Sequence, residues 1–227
     1  MSLRPDLDQL IQHLQANEFF ARLDAPTLHD LAQGALWREY APGEIIFWEG
    51  ENATGLYYLH SGWIKVVKTA LNGREQVLRF LEPGDIFNEV GAFSSQPNPA
   101  TAVALEPVGI WLLKRETITQ LLNQRPDFAQ HVIENMAERV QHLVTLVADL
   151  SLRSVMGRLA RLLLEDADGD TLHRPQWYTQ SELAARLGTV PDVIQRALRT
   201  LESDNIIEVQ RHLIRIQDRS TLNQIAT

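Results

Sequence analysis

The 227-residue sequence contains no cysteine. This absence excludes disulfide scaffolds, thiol nucleophiles, and zinc or iron–sulfur sites that are held by thiolates. Any redox or metal sensing must therefore use histidine, carboxylates or a bound cofactor.

The sequence also lacks an apolar run of membrane-spanning length. Its longest apolar stretches, such as 102–113 and 143–152, are broken by Glu, Pro or Asp, well short of the ~18 to 20 residues that a span needs. Residues 1–12 carry several charges, and no signal-like apolar core follows them. We therefore expect a cytoplasmic, soluble protein with no membrane partner.

Motifs of common enzymes are missing as well. The sequence has no Gly-x-Ser-x-Gly elbow, no Walker loop, and no acid and base at motif spacing. None of the seven histidines forms an H-x-x-x-H pair, and His60 is the only histidine between residues 41 and 113. We therefore predict that the chain is not an enzyme and holds no metal through a histidine motif.

Two periodicities divide the first half of the chain. Residues up to about Leu36 have apolar side chains at helical spacing. Residues 41–113 instead form short β-rich runs between turn signals, which is typical of a sandwich or barrel. The turn signals are Pro42-Gly43, Glu49-Gly50, Ser61-Gly62, Asn72-Gly73, Pro83-Gly84 and Pro97-Asn98-Pro99. Asn72-Gly73 predicts a hairpin with a type I′ turn, which needs positive φ at both central residues.

Helical spacing returns at Pro126 and continues for over 25 residues. Apolar side chains then alternate at spacings of three and four, as in the a/d seam of a coiled coil. The seam residues are Ile133, Met136, Val140, Leu143, Val147 and Leu150. We predict a dimerisation helix over 126–153 and a homodimer; the alternative is a helix that packs only on its own domain.

The last part of the chain has the signals of a winged helix. Thr179-Gln-Ser-Glu182 is a capping box, and Gly188 is placed to end the helix that it opens. Pro191 suits the first turn of a second helix. Residues 205–209 and 212–216 follow as two short strands. Together these signals predict a helix-turn-helix with a wing over 154–227.

The second of these helices offers side chains for reading DNA. Asp192, Gln195 and Arg196 lie near its N-terminus, where a recognition helix meets base edges, and their chemistry suits cytosine, adenine and guanine respectively. We also expect phosphate contacts from Thr179, Ser181, Arg186 and Arg199. The alternative for each residue alone is an ordinary solvated side chain.

The net charge of −8 at first argues against DNA, because phosphate binding depends on Lys and Arg. Residues 154–227, however, contain nine arginines against ten acids, a charge of −1. Residues 1–153 contain twelve basic and nineteen acidic residues, a charge of −7. The acidity therefore belongs to the first part of the chain.

This order of elements resembles the CRP/FNR superfamily of bacterial transcription regulators. The stretches that carry the resemblance are Gly50-Glu-Asn-Ala-Thr-Gly-Leu-Tyr-Tyr-Leu59, Ser61-Gly62, Gly84-Asp85, Glu89-Val-Gly-Ala-Phe93 and Asp192-x-x-Gln195-Arg196. It implies an α+β chain with three parts. A cyclic-nucleotide-binding-like β-roll (a jelly-roll or double-stranded β-helix sensor) covers 1–125, the dimerisation helix 126–153, and a C-terminal winged helix-turn-helix 154–227. It also implies a homodimer that binds palindromic double-stranded DNA and contacts RNA polymerase.

The effector that such a β-roll would bind is a separate question. In the cyclic-nucleotide branch a Glu takes the ribose hydroxyl, and an Arg followed by Ser or Thr holds the phosphate. Glu89 matches, but Pro99 and Ala100 stand at the other positions, and residues 81–113 contain no Lys or Arg. Asn88 also replaces the usual Gly. We therefore expect that the effector is not cyclic AMP, and that Glu89 is a structural or capping carboxylate.

On the long helix, Leu143 and Val144 stand roughly where the cyclic-AMP receptor offers hydroxyls to the adenine, so the predicted effector pocket includes them. The absence of cysteine excludes the iron–sulfur branch. Pro97-Asn-Pro-Ala-Thr-Ala102 is similar to a loop of the haem-based gas sensors. Haem is thus a possible cofactor, although no residue among His60, His131, His142 and Met136 is assigned as its ligand. A third alternative is a constitutive DNA-binding regulator whose β-roll has lost its ligand.

Overall fold

The computed structural model describes residues 5–94 and 96–227; Ser95 and the first four residues of the predicted sensor domain lie outside them. The chain divides into two compact units. The first comprises the described residues up to Lys68 together with Arg79–Gln141. The second comprises Thr69–Leu78 and His142–Thr227.

Two short helices open the first unit, as their spacing predicts. They are α1 (Leu7–Ala16) and α2 (Ala25–Gln33), with a short 3-10 helix, Glu18–Phe20, between them. The carboxylate of Asp24 caps α2 by accepting a hydrogen bond of 3.0 Å from the Thr27 N–H. Such caps satisfy the donors that a helix start leaves without a partner.

Among the described residues, eight strands follow and form two four-stranded sheets. The strands are β1 (Leu36–Tyr40), β2 (Ile45–Phe47), β3 (Gly55–Ser61), β4 (Ile64–Thr69), β5 (Glu75–Leu81), β6 (Ile86–Phe87), β7 (Thr101–Ala104) and β8 (Val108–Lys114). The sheet orders are β1-β8-β3-β6 and β2-β7-β4-β5. The central pair, β3 and β8, runs antiparallel with Leu59 opposite Ile110. This is the predicted double-sheet β-roll.

Side chains of the strands build two apolar clusters. One cluster, which includes Phe47, Leu59, Phe87 and Ile110, is formed by strand residues alone. The other packs Trp111 and its neighbours against α1 and α2. Two helices that periodicity did not predict also belong to this region, α3 (Glu89–Phe93) and α4 (Arg115–Gln124).

The predicted hairpin at Asn72-Gly73 is present, but its turn type is different. Gly73 has φ +79°, whereas Asn72 is not among the described non-glycine residues with positive φ. The connection is longer than two residues, with the Gly73 N–H donating to the Ala70 carbonyl at 2.9 Å. The Asn72 side chain accepts from the Arg74 N–H at 3.1 Å. The prediction of a type I′ turn is therefore wrong, because this longer loop needs positive φ at the glycine alone.

The long helix α5 covers Pro126–Leu152. It is followed by α6 (Val155–Asp166), β9 (Thr171–His173), α7 (Gln180–Arg186), α8 (Pro191–Ser203), β10 (Ile207–Val209), β11 (Leu213–Ile216) and α9 (Arg219–Ala226). The last three strands form one antiparallel sheet, β10-β11-β9. The helix-turn-helix and both wing strands are as predicted, whereas β9 and α9 were not. Among the described residues, no helix combines the length and apolar character that crossing a membrane requires.

Candidate DNA-binding surface and effector site

The helix α8 is fixed by one apolar face. Ile194, Ala197, Leu198 and Leu201 are buried in the core of the second unit. Pro191 is the first residue of the helix, where its missing N–H costs nothing. The opposite face of α8 is therefore presented to solvent.

The three residues predicted to read bases lie on this solvent face. Asp192 and Arg196 are exposed, and Gln195 is half-buried. Arg199 continues the same face at helical spacing and is also exposed. Within the described part of the chain, neither Arg196 nor Arg199 has a carboxylate partner. Their guanidinium groups are therefore available to an anionic ligand.

The residues predicted to contact phosphate divide into two groups. Thr179 and Ser181 are exposed at the start of α7, where the Thr179 Oγ1 accepts from the Glu182 N–H at 3.2 Å. Arg186, at the end of α7, is instead bound by both its terminal nitrogens to the carboxylate of Asp166, once at 3.0 Å. The guanidinium of Arg186 is therefore engaged by a carboxylate of the chain, whereas Thr179 and Ser181 are exposed.

A partly buried network explains the position of Arg186. The Tyr178 hydroxyl also donates to the Asp166 carboxylate, at 3.0 Å. Burial, together with the charge of Asp166, raises the pKa of the Tyr178 hydroxyl well above its usual value. For Arg186, burial acts to lower the pKa, but the hydrogen bond and the charge of Asp166 outweigh it and raise the pKa. The guanidinium is thus held in its charged form beside the Asp166 carboxylate.

The wing adds one residue that sequence reasoning missed. Arg211 is exposed in the turn between β10 and β11 and has no ion pair among the described residues. The sequence contained a signal for this residue. A basic residue between two predicted wing strands is placed where a wing could contact the DNA backbone.

The predicted seam of α5 is partly exposed. Ile133, Val140 and Val147 are 68%, 59% and 62% exposed, and Leu143 is exposed as well. Met136 is half-buried and packs on the core of the first unit. Leu150 is half-buried near Gly188. Four of the six residues thus present apolar surface to solvent.

The predicted effector residue Glu89 has a partner within the chain. Its side chain is buried, and its Oε1 accepts from Arg139 Nε at 3.2 Å and from a terminal nitrogen of Arg139 at 2.9 Å. Beside this pair, Arg79 binds Asp85 at 2.5 Å. Burial lowers the pKa of Arg79, and the charge of Asp85 opposes that effect.

The cations near this site come from outside residues 81–113. Lys68, on β4, donates to the carbonyl of Pro99 at 3.0 Å and also binds Glu49. Arg115, on α4, donates to the carbonyl of Ser94. These cations were not predicted, because Lys68 and Arg115 lie outside the continuous stretch 81–113.

The remaining predicted pocket residues have different surroundings. Ala100 is buried and Pro99 is exposed. Asn88 has a left-handed backbone with φ 69°, and its side chain donates to the Gly55 carbonyl at 3.2 Å. Leu143 and Val144 are exposed residues of α5, 47% and 64% respectively.

The histidines considered for haem are placed as follows. Both ring nitrogens of His131 have partners, the Glu18 carbonyl at 2.5 Å and the Glu134 carboxylate at 3.2 Å. The His60 ring lies 5.6 Å from the Trp37 ring. His142 is exposed on α5. Within the described residues, no three His, Cys, Asp or Glu side chains are grouped as a metal site would require.

Comparison with known families assigns both parts of the chain. The sequence model described as the cyclic nucleotide-binding domain matches residues 37–125, and that of the Crp-like helix-turn-helix domain matches residues 157–225.

Individual relatives agree with both matches. The CRP-like cAMP-activated global transcriptional regulator of Mycobacterium tuberculosis is 27% identical over 190 residues, covering 81% of this chain and 85% of the relative. The cyclic AMP receptor protein of Thermus thermophilus is 28% identical over 206 residues, covering 89% and 94%. The solved structure of FixK2 from Bradyrhizobium japonicum has the same fold, with a TM-score of 0.76, 23% identity, and coverage of 85% of this chain and 98% of that one. The chain belongs to the CRP/FNR superfamily of transcription regulators.

Proposed function

We propose that this chain is a homodimeric regulator that binds palindromic DNA in a sequence-specific manner and responds to an effector other than cyclic AMP. The observation that carries the DNA-binding part is the solvent face of α8. Asp192 and Arg196 are exposed there, and Arg196 has no carboxylate partner among the described residues. Arginine can bind guanine through two hydrogen bonds in the major groove, which is a specific contact.

Contacts to the DNA backbone would come from both sides of this face. Thr179 and Ser181 stand at the start of α7, Arg199 lies one turn further along α8 than Arg196, and Arg211 lies in the wing. We do not include Arg186, because Asp166 already satisfies its guanidinium. A small number of phosphate contacts per subunit predicts a modest dependence of affinity on salt.

The homodimer is supported by the apolar surface of α5. Ile133, Val140, Leu143 and Val147 remain exposed, and Val144 lies beside them. Covering apolar side chains stabilises an assembly by roughly 25 cal/mol for each Å² that is removed from water. A second α5 in the same register would cover these residues, which is what the seam spacing predicts. Two subunits related by a two-fold axis would then read a palindrome, and the family membership suggests RNA polymerase as a further partner.

The proposal on the effector follows from the charges around Glu89. The relatives above that are named for cyclic AMP suggest a nucleotide, but this chain has Pro99 and Ala100 in place of the Arg and Ser or Thr of that branch. Two of the neighbouring cations are held in ion pairs, Arg139 by Glu89 and Arg79 by Asp85. Lys68 is held by Glu49, and Arg115 donates to the Ser94 carbonyl. A cyclic phosphate would have to break one of these contacts to obtain a cationic partner.

The same observation favours a second candidate, a constitutive regulator without an effector. In that case the Glu89–Arg139 pair replaces the ligand and holds α3 on α5. Native mass spectrometry and an absorption spectrum of the purified protein separate the two. A stoichiometric bound mass or a Soret band would eliminate the ligand-free candidate. Cyclic AMP that bound and raised DNA affinity would contradict our proposal on the effector.

The DNA-binding proposal is tested by selection from random duplexes with the full chain, followed by fluorescence anisotropy. We expect the enriched duplex to bind at least about a thousandfold more tightly than a scrambled one at physiological salt. Equal affinity for both duplexes would contradict sequence-specific binding.

A further inference from the structure

The turn before the recognition helix α8 is held by side chains from the hairpin segment 69–78. Gln76 Nε2 donates to the carbonyl oxygen of Arg186 at 3.1 Å. The guanidinium of Arg74 donates to the carbonyl oxygen of Gly188. Both donors belong to the same compact unit as α7 and α8.

A third donor binds the carbonyl between these two. Arg158, on α6, donates from Nε to the Leu187 carbonyl at 3.0 Å, and from a terminal nitrogen to the Arg153 carbonyl at 2.7 Å. Partial burial lowers the pKa of Arg158, and the charge of Asp149 opposes that effect. Three successive carbonyls, from the last residue of α7 into the turn that follows, therefore each accept from a different side chain.

These hydrogen bonds are placed where a helix needs them. The last carbonyls of a helix have no partner within it and carry the negative end of the helix dipole. The guanidinium of Arg158 meets that negative end at the C-cap residue Leu187, and the guanidinium of Arg74 binds the next carbonyl, that of Gly188. Charge-assisted hydrogen bonds of this kind are stronger than those between neutral groups.

The packing at this turn leaves no room for a side chain at position 188. Gly188 has φ +64°, which favours glycine. A Cβ at this position would lie 2.9 Å from Gln76 Oε1 and 2.6 Å from the Leu150 side chain. The hairpin thus contacts the turn directly.

The contact does not cover the surface that would read DNA. Asp192 and Arg196 remain exposed in the same unit. A contact that inhibited binding by occlusion would bury these side chains. The geometry instead suits a role in fixing the orientation of α8.

We propose that Arg74 and Gln76 are positioning residues, which we call the hairpin clamp, and that they fix the turn at 187–190 for DNA recognition. This inference rests on the proposed function in DNA binding.

The first experiment measures DNA affinity of the full chain at several salt concentrations. We expect Arg74→Ala and Gln76→Ala each to raise Kd roughly three- to tenfold for the enriched duplex, with partial rescue in Arg74→Lys. Arg38→Ala, which removes an exposed arginine from β1, is the matched control and should leave Kd unchanged. An unchanged or lower Kd in both clamp variants would overturn the proposal.

The salt dependence separates positioning from direct contact. If Arg74 only positions the turn, the slope of log Kd against log salt stays that of the parent. A slope reduced by about one in Arg74→Ala would instead make Arg74 a phosphate contact, and the proposal would be wrong for that residue.

A second experiment, hydrogen exchange on the DNA-free protein, does not depend on the proposed function. The Thr189 N–H donates to the Ala184 carbonyl at 2.9 Å inside the clamped turn. We expect faster exchange in segment 186–193 for Arg74→Ala and Gln76→Ala, and parent-like exchange for Arg38→Ala. Parent-like exchange in both clamp variants would overturn the proposal that Arg74 and Gln76 fix this turn. If the parent selected no DNA, the proposed function would fail separately, and exchange would still decide whether the turn is clamped.

Discussion

Arg139 on α5 and Glu89 at the start of α3 form an ion pair with two hydrogen bonds, at 2.9 and 3.2 Å, to one carboxylate oxygen. The residue Glu89 is only 8% exposed, so water contributes little to the solvation of its carboxylate. The pair links the short helix of the predicted effector site to the helix that we propose forms the dimer. Because Glu89 and Arg139 already neutralise each other, this pair is central to which charged ligands the site can bind.

Removal of Arg139 should destabilise the first unit. Arg139→Ala leaves the Glu89 carboxylate buried without its partner, and we expect a loss of about 1 to 3 kcal/mol in the free energy of unfolding, since the arginine is itself partly exposed. Urea unfolding measures the loss. The control Arg22→Ala removes an exposed pair with Glu134 and should cost less than about 1 kcal/mol. Equal effects of the two variants would show that the buried pair has no special role.

Arg196→Ala should weaken and broaden DNA recognition. The variant loses a guanidinium that we assign to a base edge, so we expect a cost of about 1 to 3 kcal/mol and reduced discrimination at one position in each half-site. Anisotropy competition with single-base variants of the enriched duplex measures both quantities. A variant that kept the parent's affinity and base preference would show that the recognition-helix assignment is wrong.

Arg199 and Arg186 should differ in their effect on salt dependence. Arg199 is exposed and has no ion pair within the part of the chain that the structure describes, so Arg199→Ala should weaken binding to all sequences and reduce the salt slope by about one. Arg186 is bound to Asp166, so Arg186→Ala should leave the slope unchanged and lower the free energy of unfolding by about 1 to 3 kcal/mol. A reduced slope for Arg186→Ala would restore the sequence-based prediction of a phosphate contact.

Charges placed on the seam of α5 should separate the proposed dimer. Val140→Glu and Val147→Glu would each bury a carboxylate against a second copy, and we expect at least about a tenfold rise in the dimer dissociation constant. Analytical ultracentrifugation measures it. Thr145→Glu introduces the same charge at an exposed position on another face of α5 and should have little effect. A monomeric parent, or equal effects of all three variants, would contradict the proposal that the seam of α5 forms the dimer interface.

Stability of the first unit should depend on pH through His60. Burial, and then the nearby charge of His13, lower the pKa of His60 below its usual 6.5. The folded state therefore favours the neutral ring, so its contribution to stability is complete above pH 6.5 and is lost as pH falls through the lowered pKa. In His60→Phe the slope of unfolding free energy against pH below 6.5 should decrease. His29→Gln, on α2, is the control, and an unchanged slope in His60→Phe would contradict the assignment.

Local patterns explain why much of the fold could be predicted. The seam spacing from Ile133 to Leu150 predicts one long helix, and α5 covers it. The capping box at Thr179 and the glycine at 188 predict α7 and its end, because caps and turns depend on residues close in sequence. Turn signals between short runs likewise predict the double sheet.

What the sequence did not predict depends on residues that are distant along the chain. Arg139 is 50 residues from Glu89, and Asp166 is 20 residues from Arg186. No periodicity encodes such pairs, since they form only when separate elements pack. The predicted turn type at Asn72 was wrong for a related reason. The number of loop residues depends on where β4 and β5 stop pairing.

The symmetry of the selected DNA tests the central claim most directly. If two copies of α8 read DNA from a dimer joined along α5, selection from random duplexes should enrich two inverted half-sites whose centres lie about one helical turn, roughly 10 base pairs, apart. Enrichment of a single asymmetric site, or no enrichment, would contradict the account.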